Sequence, residues 1–110
     1  WTSERKEEDM VLELTIIPRG QGSSISGDIA DLVKIIEGSG LDYQMTAFGT
    51  LLEGSWDQLM DVAKQCHFEA RKNNQRVLTM MRLDDNGKRT GEIGGAVSRV
   101  EQKLGHVVKK

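Results

Sequence analysis

The chain offers almost nothing to hold it together covalently. Cysteine occurs once, at Cys66, which excludes an intramolecular disulfide and suits a reducing compartment. His67 and His106 stand apart from each other and make no metal-ligand spacing with that cysteine, so neither a metal nor another cofactor is expected. No apolar run approaches the roughly 20 residues needed to span a bilayer, and no signal peptide precedes the first strand-like segment. A cytoplasmic protein with no membrane contact is the expectation. Charge of one sign is missing too: 15 Lys and Arg face 17 Asp and Glu, without a basic stripe. That argues against nucleic acid as a partner. Internal repeats, low-complexity tracts and any nucleophile–base–orienter set are also lacking. Nothing points to an enzyme.

What is present is one domain's worth of chain. Its 110 residues match the roughly 100–150 of a common domain, and mixed charges with 37% apolar residues fit a folded globule. Residues 1–9 are charged and aperiodic, and read as a disordered extension or tag before a domain at 10–105, with 106–110 as a C-terminal tail expected to fray. Residues 11–17 (Val-Leu-Glu-Leu-Thr-Ile-Ile) alternate as a strand, and Pro18, the only proline, stops it. Ser26 is the expected N-cap of a helix carrying Ile29, Leu32, Val33 and Ile36, with Asp28 in the positive first turn. Gly38 and Gly40 end that helix. Residues 42–47 and 50–53 read as two short strands that turn at Phe48 and Gly49.

Ser55 with Gln58 forms a capping box ahead of a helix whose apolar stripe is Leu59, Val62, Ala63, Cys66 and Ala70. Asn73-Asn74 breaks it. Residues 77–83 form another strand, 84–87 a turn, and a last helix carries Ile93, Ala96, Val97, Val100 and Leu104 before Gly105. The order β-α-β-β-α-β plus a terminal helix is an α+β fold, the ferredoxin-like βαββαβ sandwich with an extra C-terminal helix. Its two helices cover one sheet face. Yet Val11 and Ile17 point away from Leu12, Leu14 and Ile16, and Leu78 and Met80 away from Val77, Met81 and Leu83. Both faces therefore carry large apolar groups. Either the last helix wraps round to cover the second face or a copy of the chain does, and a homodimer or homotetramer is expected.

The loop Gly20-Gln21-Gly22 lies where a dinucleotide fingerprint would, but Ile25 stands at the third glycine and no suitable acidic residue ends the second strand. Its amides, with the hydroxyls of Ser23, Ser24 and Ser26, could hold an anion or a polar ligand edge at a helix N-terminus; simple capping is the alternative. Arg19 beside these glycines raises an acylphosphatase-like reading. The loop lacks the longer signature of those enzymes, and no asparagine lies in the mid-chain strands. The stretch 46–54 says more. Thr46, Thr50 and Glu53 flank Gly49, which admits close backbone approach, and Trp56 follows in the first helical turn. Hydroxyls, a carboxylate and aromatic planes (Trp56, with Phe48 in the turn) suit a flat, cationic, hydrogen-bonding ligand. A plain hairpin with a rim salt bridge is the other reading.

Three segments together resemble the thiamine-binding-protein family of small ferredoxin-like domains, also called YkoF-like. They are Thr15-Ile16-Ile17-Pro18-Arg19-Gly20 with Gly22 and Ser24-Ile25-Ser26; Tyr43 to Gly54, with Phe48-Gly49-Thr50 and Leu52-Glu53-Gly54; and Ser55-Trp56-Asp57 followed later by Arg76-Val77. The resemblance spans roughly Met10 to Leu104. It implies dimers and tetramers, binding of thiamine or its hydroxymethylpyrimidine half, and no catalysis. Carried onto matching positions, it implies a polar site of Ser24, Ser26, Thr46, Thr50 and Glu53, which Phe48, Gly49 and Trp56 complete as the expected ligand-binding set. The chain departs from the family at Gly94-Gly95, where better helix formers would save up to roughly 1 kcal/mol per glycine. An oligomeric structural or regulatory module with another ligand, or none, is the second reading.

Overall fold

A computed structural model describes residues 9–19, 25–87 and 91–110, with the backbone alone at 25–27. The expected extension, apart from Asp9, and the Gly-Ser loop with Ser24 lie outside the described residues. The elements are β1 (Met10–Pro18), α1 (Ile25–Gly38), β2 (Asp42–Met45), β3 (Thr50–Gly54), α2 (Trp56–Lys72), β4 (Val77–Asp84) and α3 (Glu92–Leu104). The four strands pair antiparallel in the order β2-β3-β1-β4. This is the ferredoxin-like α+β sandwich with an additional C-terminal helix.

Strand β1 sets the frame. Its period of two places Leu12, Leu14 and Ile16 on one face, all buried. Cross-strand register brings Leu12 opposite Leu52 and Leu83, and Leu14 opposite Thr50 and Met81. Helices α1 and α2 close over this face with Leu32, Ile36, Leu59, Val62, Ala63, Cys66 and Ala70. Full burial of each large aliphatic side chain contributes roughly 1.5–3 kcal/mol. The capping box forms as expected: the Ser55 hydroxyl accepts from the Gln58 N–H at 3.3 Å and Gln58 Oε1 accepts from the Ser55 N–H at 3.0 Å. Helix α1 is already helical at Ile25, so Ser26 stands inside the first turn and not at the N-cap. Its neighbour Asp28 accepts from Asn74 Nδ2 at 3.2 Å, which ties the start of α1 to the end of α2.

Strand β2 stops at Met45, two residues short of expectation, because Thr46 to Gly49 fold into the turn. On the opposite sheet face, α3 packs against β3 and β2. It begins from Gly91 in the left-handed region, without a side-chain cap, and buries none of its side chains. The pair Gly94-Gly95 does not prevent the helix from starting at Glu92, whose N–H is held by the Glu53 carboxylate at 3.1 Å. Cover by α3 is partial: Met80, across from Thr15 on β1, stays exposed. The expected tail is tied back, the Val108 N–H donating to Glu101 Oε2 at 2.9 Å. Among the described residues no helix is long and apolar enough to cross a membrane.

Candidate ligand-binding site

The β2–β3 turn is built around one hydroxyl. Thr46 Oγ1 accepts from the N–H groups of Phe48 and Gly49, both at 3.1 Å, and donates to the Gly49 carbonyl at 2.9 Å. The Thr46 N–H reaches the same carbonyl at 2.8 Å. A second hydroxyl, Thr15 on β1, donates to the Phe48 carbonyl at 2.7 Å. The turn is thereby pressed onto β1 so closely that a Cβ on Gly49 would lie 2.6 Å from the Leu14 carbonyl oxygen. Only glycine fits there. Phe48, at the tip, is left 81% exposed.

Behind this turn lies a cavity of about 280 Å³. Its helical side is supplied mainly by α1, which packs chiefly on α2. Ile29, Leu32, Val33 and Ile36 of α1 form one wall, Leu14 and Ile16 of β1 another, and Met45, the turn and Thr50 line the rest, with Cys66 contributed by α2. The volume lies just below the roughly 300–1,000 Å³ usual for ligand pockets. Thr50 is 8% exposed, lines the cavity, and its hydroxyl has no hydrogen-bond partner among the described residues. A buried hydroxyl left unpaired costs roughly 1–3 kcal/mol. Burial, with a smaller contribution from the Glu69 charge, pushes the Cys66 thiol up to about 11. At neutral pH it is a protonated, inert wall group.

The structure brings Thr46, Phe48, Gly49 and Thr50 together around this cavity. Glu53 and Trp56 are elsewhere. The Glu53 carboxylate points to the opposite sheet face, 7% exposed, beneath the start of α3. Trp56 follows β3 at its far end, roughly 13 Å along the strand from Thr50 at about 3.3 Å per residue, and is 54% exposed. Ser24 lies outside the described residues, and Ser26 is placed only by its backbone in α1. The parity of β3 could have separated the two groups beforehand, since Thr50 and Glu53 fall on opposite faces of any strand. Conversely, Ile29, Val33 and Cys66 read as plain core, because an apolar stripe looks the same whether it meets side chains or a void. The described lining carries no charged side chain. What it suits is a small flat ring with apolar faces and one hydrogen-bonding edge.

Elsewhere, His67 Nδ1 meets Thr79 Oγ1 at 2.6 Å between α2 and β4, away from the cavity and with no carboxylate partner among the described residues. It joins two elements.

Fold and cavity thus define a small ferredoxin-like domain with an internal space of ligand size. The family model described as thiamine-binding protein matches residues 12–101, and the chain belongs to that family. Among relatives, it is 34% identical over 101 residues to the UPF0045 protein YqgV of Bacillus subtilis, covering 86% of this chain and 96% of that one. It is 32% identical over 95 residues to a UPF0045 protein of Methanothermobacter thermautotrophicus, covering 84% and 96%. A hypothetical protein of Methanocaldococcus jannaschii superimposes with a TM-score of 0.75 at 25% identity, over 91% of this chain and 99% of that one. A Thermotoga maritima structure, described as a candidate thiamine biosynthesis/salvage protein, matches with a TM-score of 0.72 at 19% identity, over 84% and 98%. At that identity the likeness concerns the fold.

Proposed function

We propose that this chain is a non-catalytic, cytoplasmic binding protein that takes thiamine or its hydroxymethylpyrimidine half into the cavity behind the β2–β3 turn, working as a homodimer or homotetramer. One observation carries the reading. Thr50 is nine-tenths buried inside a ligand-sized cavity with its hydroxyl unpaired among the described residues, and a group so placed is satisfied when a ligand supplies its partner. A hydroxyl both donates and accepts, so it can meet either a ring nitrogen or an amino group of a pyrimidine. Thr46 and Gly49 shape the turn, and Phe48 stands at the rim. Membership of a family described as thiamine-binding supports the ligand class. The described lining offers no general base, and its thiol is held protonated. Titration calorimetry tests the reading: Thr50→Val should weaken binding roughly 5- to 150-fold, the equivalent of about 1–3 kcal/mol. Absence of heat with the parent chain at millimolar thiamine and pyrimidine would refute it.

A further inference from the structure

We propose that β4 is the edge through which two copies of this chain meet: their β4 strands pair antiparallel about a two-fold axis at Met80, so that Arg76 of each stands opposite Asp84 of the other. The inference rests on the assembly proposed above and names its contact. The order β2-β3-β1-β4 leaves β4 with a single sheet neighbour. Its register with β1 runs unbroken from Val11↔Asp84 to Pro18↔Val77, without a bulge, and the strand contains no proline. Helix α3 packs on β3 and β2, away from this edge. A long, regular, uncovered edge is a ready template for another strand.

The ladder itself says which groups are left to pair. The Arg19 N–H donates to the Arg76 carbonyl at 2.8 Å. By antiparallel alternation Arg76, Leu78, Met80 and Arg82 turn their backbone groups toward β1, and Val77, Thr79, Met81 and Leu83 turn theirs outward. A two-fold pairing through these outward groups that overlaps most of the strand has its axis at residue 79, 80 or 81. An axis at Thr79 sets Arg76 against the partner's Arg82, and one at Met81 sets Leu78 against the partner's Asp84. With the axis at Met80, Arg76 faces the partner's Asp84, and opposite charges directly across a strand pair stabilise it. Both groups are exposed and make no ion pair among the described residues, whereas Arg82 is already held by Glu13 at 2.7 Å. On the helix face Val77 then meets the partner's Leu83, and Thr79 the partner's Met81. On the other face Met80 meets its own copy. The exposed Met80, Met81 and Leu83 are thereby covered.

Cysteine cross-linking and a charge exchange, both on the whole chain, test the register. On the axis the two residues at position 80 form a non-hydrogen-bonded pair with Cα atoms about 4.5 Å apart, within disulfide reach. Met80→Cys should therefore give a covalent dimer under mild oxidation, and Met81→Cys, whose copies lie beyond that reach, should not; Cys66 is buried and stays silent. Arg76→Asp alone and Asp84→Arg alone should each weaken self-association about tenfold in light scattering, and an equimolar mixture of the two should restore it, because every pair in the mixed dimer is again of opposite charge. Cross-linking through Met81→Cys with none through Met80→Cys, or a mixture no tighter than its components, overturns the inference while an assembled parent shows that another surface joins the copies. A monomeric parent removes the assembly and this inference with it.

Discussion

Thr46 and Thr50 carry the same side chain on either side of one tight turn, yet their hydroxyls are in opposite states. That of Thr46 is saturated by three contacts within the turn, and that of Thr50 is buried with none among the described residues. Removing the first should loosen the turn; removing the second should do the reverse. Thr50→Val is accordingly expected to stabilise the ligand-free protein by about 1 kcal/mol in urea denaturation, since it deletes an unpaired buried group while keeping its volume. A variant that gains stability and loses ligand identifies a hydroxyl kept for binding. Cys66 yields a second test. Its thiol lies at about 11 when folded, above the ordinary 9.0. The native state then holds the proton more tightly than the unfolded chain, so stability falls as pH rises from about 9 to about 11. Thermal unfolding across that window should show the decline, with a shallower slope in Cys66→Ala.

Helix α3 is the element held most lightly. No side chain of it is buried, its N-cap is a left-handed glycine, and Gly94-Gly95 weaken its first turn. Its fixing point is the Glu53 carboxylate, which accepts the Glu92 N–H at 3.1 Å and lies at the positive end of the helix dipole. The partly buried Glu92–Arg99 ion pair then staples the first two turns together at 2.7 Å. Glu53→Ala should raise hydrogen exchange across 92–104 and lower global stability by about 1 kcal/mol, with Glu53→Gln intermediate because its amide oxygen still accepts. Protection equal to the parent in Glu53→Ala would mean that α3 is anchored by its sparse packing alone. Since Glu53 faces away from the cavity, neither change should alter ligand affinity.

The sheet as a unit leaves apolar surface uncovered on both sides of β4. Met81 and Leu83 lie on the α1–α2 face yet stay exposed, although α2 reaches β4 at Thr79, and Met80 lies exposed on the face where α3 packs chiefly against β3 and β2. Val100 and Leu104 of α3 add to the exposed apolar area. Surfaces of this kind on a small domain are commonly buried against a copy of the same chain. Light scattering at micromolar concentration should give the mass of two or four chains. Leu78→Lys or Met80→Lys should shift the population toward monomer, because a charge is costly in a dry interface. A monomer in the parent would rule out the assembly.

Periodicity was enough to locate every strand and helix, to sort Leu12, Leu14 and Ile16 from Val11 and Ile17, and to find the capping box at Ser55 and Gln58. Those features are local: they follow from side-chain spacing of two or 3.6 residues and from hydrogen bonds spanning a single turn. The turn at Phe48-Gly49 was legible for the same reason, while the family was indicated by the likeness of three short segments to its members. The cavity was not. It lies where α1, packed on α2, meets β1 and the β2–β3 turn, a long-range arrangement that leaves no mark in the order of apolar residues. Nor could the sequence tell the spent hydroxyl of Thr46 from the free one of Thr50, or reveal that Glu53 is claimed by the backbone of α3 from 39 residues away. Hydrogen bonds closed between distant elements decide which polar groups remain for a ligand, and only the folded chain closes them.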